Sequence, residues 1–208
     1  SCTRSGSPRG SSRISKPTDM IPRPELAHWL AAAVALLLAL VLISEVVVGM
    51  RVFRRRPWRA YLFPSLALGS GVFLWVIAIF STFSTMHLVA HALWAEAAMI
   101  AGGVQLAAVR GKLSSPRWSL VTAGALVVCG AAFLVHEPNP WFFSRSAFLH
   151  HAIGWMLVAG ALFPFGQALR PRWPLWRAGF ALTFVLLALL LFADRDSAPI
   201  FGRFGGAS

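Results

Sequence analysis

The sequence predicts an all-α polytopic membrane protein: a bundle of six transmembrane helices, with a short interfacial helix between spans 4 and 5. Three observations point there. Apolar residues make up 57% of the chain and charged residues only 12%, where a soluble domain carries about a quarter charged. Mean hydropathy is +0.68. Apolar runs of roughly 18 or more residues recur, and at 1.5 Å per residue that length crosses a hydrocarbon core of ~30 Å.

The elements follow in chain order. Residues 1–20 are rich in Ser, Arg, Pro and Gly without an apolar run, so they bury nothing and are expected to be a disordered tail. They also lack the apolar centre of a signal peptide, and Met20 is the expected native start. The six-helix domain is expected over 21–195. Its spans fall at about 28–50, 61–82 (entered through Pro64), 86–109, 118–136, 149–169 and 177–193, and 196–208 form a flexible tail. Pro138 and Pro140 stop span 4. The stretch after them, WFFSRSAF, has apolar residues at 141–143, 147 and 148, a pattern suited to a short helix in the headgroup layer that caps the bundle. Gly69, Gly71, Gly102 and Gly103 are candidate close-packing points between helices.

Charge supplies the orientation. The net charge of +12 is not a nucleic-acid footprint, because the basic residues sit in short clusters between apolar runs. Arg51, Arg54, Arg55, Arg56 and Arg59 follow span 1; Arg110, Lys112 and Arg117 follow span 3; Arg170, Arg172 and Arg177 follow span 5. All fall on one side, which the positive-inside bias makes cytoplasmic. Both termini are then outside, and the expected location is the inner membrane, with the lipid bilayer as the first partner. Cys2 and Cys129 are the only cysteines and support neither a disulfide framework nor a thiolate metal site.

On this topology all six histidines lie at or near the outer rim. His28 opens span 1, His87 and His91 lie at the outer end of span 3, His136 closes span 4, and His150 and His151 open span 5. His87 and His91 are four residues apart and share a helix face, which continues through Trp94, Ala98 and Gly102. His150 and His151 point about 100° apart on a helix, so at most one of them aims at a given partner. Imidazole is a common metal ligand that also titrates near neutrality, and four readings stay open. One is a bis-histidine haem b, with His87 or His91 facing His150 or His151. Another is copper or zinc on His87, His91, His136, His150 or His151, with Met86 as a soft ligand. The third is proton or substrate handling in a small transporter, and the fourth is interfacial histidines satisfied by water and headgroups, as in a non-catalytic assembly subunit. Arg145 sits over the cluster, where it could pair with Glu137, a lipid phosphate or a haem propionate. Two carboxylates lie within spans: Glu96 in the middle of span 3, pointing away from the histidine face, and Glu45 in the inner half of span 1. A carboxylate there costs on the order of 2.5–3.5 kcal/mol to insert, so each is expected to be partnered or to serve a proton path.

The stretches MHLVAHALWAEAAMIAGGVQLAAVRGKL and LVHEPNPWFFSRSAFLHHAIGWMLVAGALFPF, residues 86–113 and 134–165, distantly resemble two bacterial membrane families. These are the bis-histidine cytochromes b and the copper-resistance D proteins. What carries the resemblance is outer-rim histidines on successive helices. The first likeness implies electron transfer through haem; the second implies handling of periplasmic copper. Either implies a periplasmic redox or copper-carrier protein as partner. The chain departs from both patterns, since no histidine is available at the inner side for a second haem and the methionines number only five. With one HxxxH and a bare HH, it also has too few ligands for a membrane di-iron oxygenase.

Overall fold

The computed structural model describes residues 23–53, 55–81, 85–136 and 145–194. Among these, every regular element is helical, and six helical segments are long and apolar enough to cross a membrane. The protein is a multi-pass helical membrane protein. Its first span is α1 (Arg23–Val48), ended by Gly49 with φ +80° and followed by the short α2 (Met50–Phe53). A 3-10 turn, Pro57–Tyr61, leads into α3 (Leu62–Ser81), and α4 covers Thr85–Val109. After a second 3-10 turn, Pro116–Trp118, comes α5 (Ser119–His136). The fifth span is two helices, α6 (Arg145–Gly160) and α7 (Leu162–Leu169), and the sixth is α8 (Pro174–Ala193).

Local chemistry explains the boundaries. Pro64 lies in the first turn of α3, where its missing N–H would have had no helical partner. Gly111, at φ +73°, ends α4: its N–H reaches the Ala108 carbonyl at 3.0 Å, and the next N–H, of Lys112, reaches Ala107 at 3.0 Å. That pair of bonds is a Schellman cap, which needs the left-handed conformation glycine adopts without penalty. The fifth span breaks at Ala161 because Pro164 has no N–H for the Gly160 carbonyl and its ring crowds that oxygen. Arg145–Phe148, assigned from the sequence to an interfacial helix, run directly into α6. The rest of that segment, residues 137–144, lies outside the described residues, as do both expected tails.

The helices close into a ring. α1 packs against α3, α3 against α4, α4 against α5, α5 against α6, and α6 against α8, which returns to α1. The α5–α6 crossing is glycine on glycine: a Cβ on Gly154 would stand 2.9 Å from the Gly130 carbonyl, and one on Gly130 would stand 2.6 Å from the Gly154 carbonyl. Without a hydrophobic driving force in lipid, such close backbone approach is what holds helices together. Gly71 and Gly102 are close-packing points between α3 and α4, whereas a Cβ on Gly69 or Gly103 would meet nothing within 4 Å. At Gly102 the facing space is taken by Ala67 and Leu68, and at Gly154 by Leu134. Outward faces stay apolar: even the most enclosed span, Arg145–Leu169, buries only 44% of its apolar window, as lipid-facing helices do.

Candidate functional site

Because consecutive spans reverse direction, the N-terminal ends of α1, α4 and α6 and the C-terminal end of α8 meet at one end of the ring. The basic links lie at the other. α8 stands between α1 and α6, and Asp194, the residue that caps its C-terminus, is fully buried there. Its carboxylate Oδ2 lies 3.1 Å from His150 Nε2 of α6 and 3.4 Å from His28 Nδ1 of α1. The two imidazoles meet edge to face, with centroids 5.7 Å apart. His28, His150 and Asp194 are the group whose ligand atoms all lie within 4.8 Å of one another among the described residues.

Electrostatics makes this arrangement costly unless a cation joins it. The end of α8 carries the negative pole of the helix dipole, so an anion there is unfavourable. Burial of the carboxylate in a low-dielectric interior adds to that cost. Neither Asp194 oxygen accepts a hydrogen bond among the described residues; what faces Oδ2 is the two imidazole nitrogens. A shared proton or a metal ion would each supply the positive charge. The spacing suits an ion, since ligands at ~2.0–2.1 Å in a tetrahedral site stand about 3.3 Å from one another.

A row of aromatic rings leads away from the cluster. Phe133 of α5 lies 5.7 Å from His150, Trp94 of α4 stacks on Phe133 at 4.2 Å, and His91 meets Trp94 edge-on at 4.9 Å. Trp94 is fixed by donating its Nε1–H to the Cys129 carbonyl at 3.1 Å. His91 is outside the three-residue group.

The other residues singled out from the sequence scatter. His151 donates from Nδ1 to the Ala147 carbonyl of its own helix at 2.8 Å, so of the adjacent pair only His150 faces Asp194. Met86 is exposed on the perimeter of α4, and Arg145 is half-buried in the first turn of α6. The side chains of His87 and His136 lie outside the described set. Glu96 is exposed on the outside of α4 and accepts a hydrogen bond from Trp75 Nε1 of α3 at 3.1 Å, a partnered carboxylate turned away from His91. Glu45 is half-buried toward the C-terminal end of α1. Gln105 bonds the Thr122 hydroxyl at 3.2 Å, joining α4 to α5.

Sequence reasoning placed His28 at the correct end but left it out of the candidate ligands. It placed Asp194 just beyond the sixth span, at the start of the outer tail, and did not count it as a site. The available signal was an acidic residue directly after LLLFA, on the histidine side of the topology. Comparison with known protein families, with characterised proteins and with solved structures found no match.

Proposed function

We propose that this protein binds a divalent transition-metal ion at the histidine end of its helix ring, through His28, His150 and Asp194. The observation that carries the reading is a fully buried carboxylate held 3.1 and 3.4 Å from imidazole nitrogens of two other helices. Two nitrogens and an oxygen form a borderline ligand set that suits copper(II), zinc(II) or iron(II), and within the divalent series copper binds tightest. Three protein ligands leave positions open for an exchangeable ligand, as in sites that do chemistry or pass an ion on. The positive-inside bias turns the basic links to the cytoplasm and this site to the outer face of the inner membrane, with both termini outside. Copper handling or metal-centred electron transfer with a periplasmic carrier protein is the role that fits an ion placed there.

The test is bound metal in protein purified in mild detergent from metal-supplied cells. About one equivalent of copper, zinc or iron is expected, with none in His150→Ala or Asp194→Asn, while His91→Ala keeps its ion. Metal-free protein, or occupancy unaffected by both substitutions, overturns the assignment. A visible spectrum taken before and after dithionite separates the alternative directly: a Soret band with reducible α/β bands would transfer the reading to a bis-histidine haem.

A further inference from the structure

The links at the end of the ring opposite Asp194 carry only basic charge: residues 51–59, 110–117 and 170–177 contain Arg and Lys but no Asp or Glu. One of them is built as a site. Arg170, Pro171, Arg172 and Trp173, between α7 and α8, line an open pocket. They form a turn in which the Trp173 N–H donates to the Arg170 carbonyl at 3.2 Å, and Pro171 supplies the fixed φ that the second position of such a turn favours. The Arg170 guanidinium lies over the Trp173 ring, 6.0 Å from its centroid. Trp173 meets Trp176 edge to face at 5.2 Å. The Trp176 ring lies so near the backbone of α7 that a Cβ on Gly166 would stand 2.6 Å from it. Contacts thus tie Arg170 to the helix it follows, which lowers the cost of ordering it around a ligand.

Charge and hydropathy together name that ligand. Arg170 and Arg172 are exposed, and neither makes an ion pair among the described residues. Two guanidiniums without carboxylate partners favour an anion whose oxygens match their planar fork, as those of a phosphate do. A soluble anion would need nothing more. Here, however, the arginines are flanked by exposed Leu169 and Leu175. Leu162, Phe165 and Leu169, spaced three and four residues apart, fall on one face of α7, and all three are exposed. An apolar strip running into a pair of arginines is the complement of an amphiphile, with acyl chains along α7 and a phosphate at the turn. Trp173, exposed beside them, is the amphipathic ring expected at headgroup level. Basic pockets at the ends of transmembrane helices bind anionic headgroups in this way.

From these features we infer that the α7–α8 turn is a binding site for one anionic phospholipid, its phosphate held by Arg170 and Arg172 and its chains laid on the exposed face of α7. The site stands at the other end of the ring from the ion group and does not depend on it.

The test is native mass spectrometry of the full chain in mild detergent, titrated with phosphatidylglycerol and with phosphatidylcholine of the same acyl chains. One phosphatidylglycerol is expected to bind roughly tenfold or more tighter than phosphatidylcholine, undiminished by millimolar glycerol phosphate. Arg170→Gln with Arg172→Gln should remove that preference and leave phosphatidylcholine binding unchanged. Arg55→Gln with Arg56→Gln takes the same charge from the link whose 3-10 turn packs on α3 and α4, and should keep the preference. Both pairs are exposed, and thermal midpoints verify folding; should the first double variant not fold, Arg172→Gln alone decides, with a severalfold loss expected. Equal binding of the two lipids, or undiminished phosphatidylglycerol binding in the folded Arg170 and Arg172 variant, overturns the inference. An equal loss in both double variants would mean diffuse charge rather than a site, and displacement by glycerol phosphate would mean a receptor for soluble anions; each overturns it too.

Discussion

Asp194→Asn is the sharpest perturbation of the proposed ion site. The substitution keeps side-chain shape and removes the negative charge, leaving a poor ligand between His28 and His150. An ion that binds only the folded state stabilises it by RT ln(1 + [L]/Kd), about 2.7 kcal/mol at a hundredfold excess over Kd. For a chain of 150–250 residues, ~2–4 °C of midpoint shift per kcal/mol makes that about 5–11 °C for the wild type. Outer-shell partners of metal ligands are worth 10–100-fold in affinity, and a direct carboxylate ligand is taken at ~100-fold or more. At the same ion concentration the variant then sits near its own Kd, where the same relation leaves about 0.4 kcal/mol and a shift of roughly 1 °C. The assay is thermal unfolding in detergent, followed by near-ultraviolet circular dichroism, across a titration with copper(II) and zinc(II). His91→Ala is the comparison, because His91 is not one of the three clustered ligand residues; it should keep the full upshift. An equal upshift in Asp194→Asn, or none in the wild type, would refute the reasoning, since the first moves the ion elsewhere and the second removes it.

Three further outcomes are expected. Imidazole must shed its proton to ligate, so ion affinity should fall as pH drops through ~7 to 5, and binding should release protons, measurable by calorimetry in buffers of different ionisation enthalpy; pH-independent affinity would argue against histidine ligands. Gly154→Leu drives side-chain atoms into Leu134 and the Gly130 carbonyl, and such overpacking costs about 1–3 kcal/mol; Gly103→Ala, where a Cβ meets nothing within 4 Å, should be neutral or stabilising by ~0.5–1 kcal/mol, and reversal of that order in thermal unfolding would refute the α5–α6 packing. Glu96→Gln keeps an oxygen to accept from Trp75 and should leave the unfolding midpoint and membrane yield unchanged or raised, because a carboxyl facing lipid is costly when ionised; a large loss in either would show that the charge itself is required.

The spans were legible because each is a long apolar run closed by recognisable stops: Gly49, Gly111, and the prolines ahead of α5 and α8. The break in the fifth span was also written in the chain, in Pro164, yet an apolar run of that length reads as one helix unless the carbonyl four residues back is followed. The site was legible by half. Topology gathered the histidines at one end, and the 100° step between neighbours lets at most one of His150 and His151 aim at a given partner. Neither pattern says which helices are neighbours. His91 sits on a well-formed histidine face, but Trp94, one turn on, turns that face into an aromatic wall. Asp194 was passed over because an acidic residue at a span end normally marks the water boundary, and only the closure of α8 against both α1 and α6 buries it.

That closure carries the functional argument further than any single residue does. In a row of six antiparallel helices, the first and last would lie at opposite edges and His28 would never approach Asp194. Closing the row into a ring brings the ends of α1 and α8 together and leaves a hollow that the aromatic side chains narrow without filling. The ion group and the cavity are therefore two consequences of one topological fact. His28 is the residue that belongs to both, since it faces Asp194 on one side and lines the hollow on the other. His28→Ala should consequently weaken ion binding as His150→Ala does, although the two residues stand on different helices. If His28→Ala keeps the full ion-induced upshift in unfolding midpoint, α1 contributes no ligand and ring closure is not what builds the group.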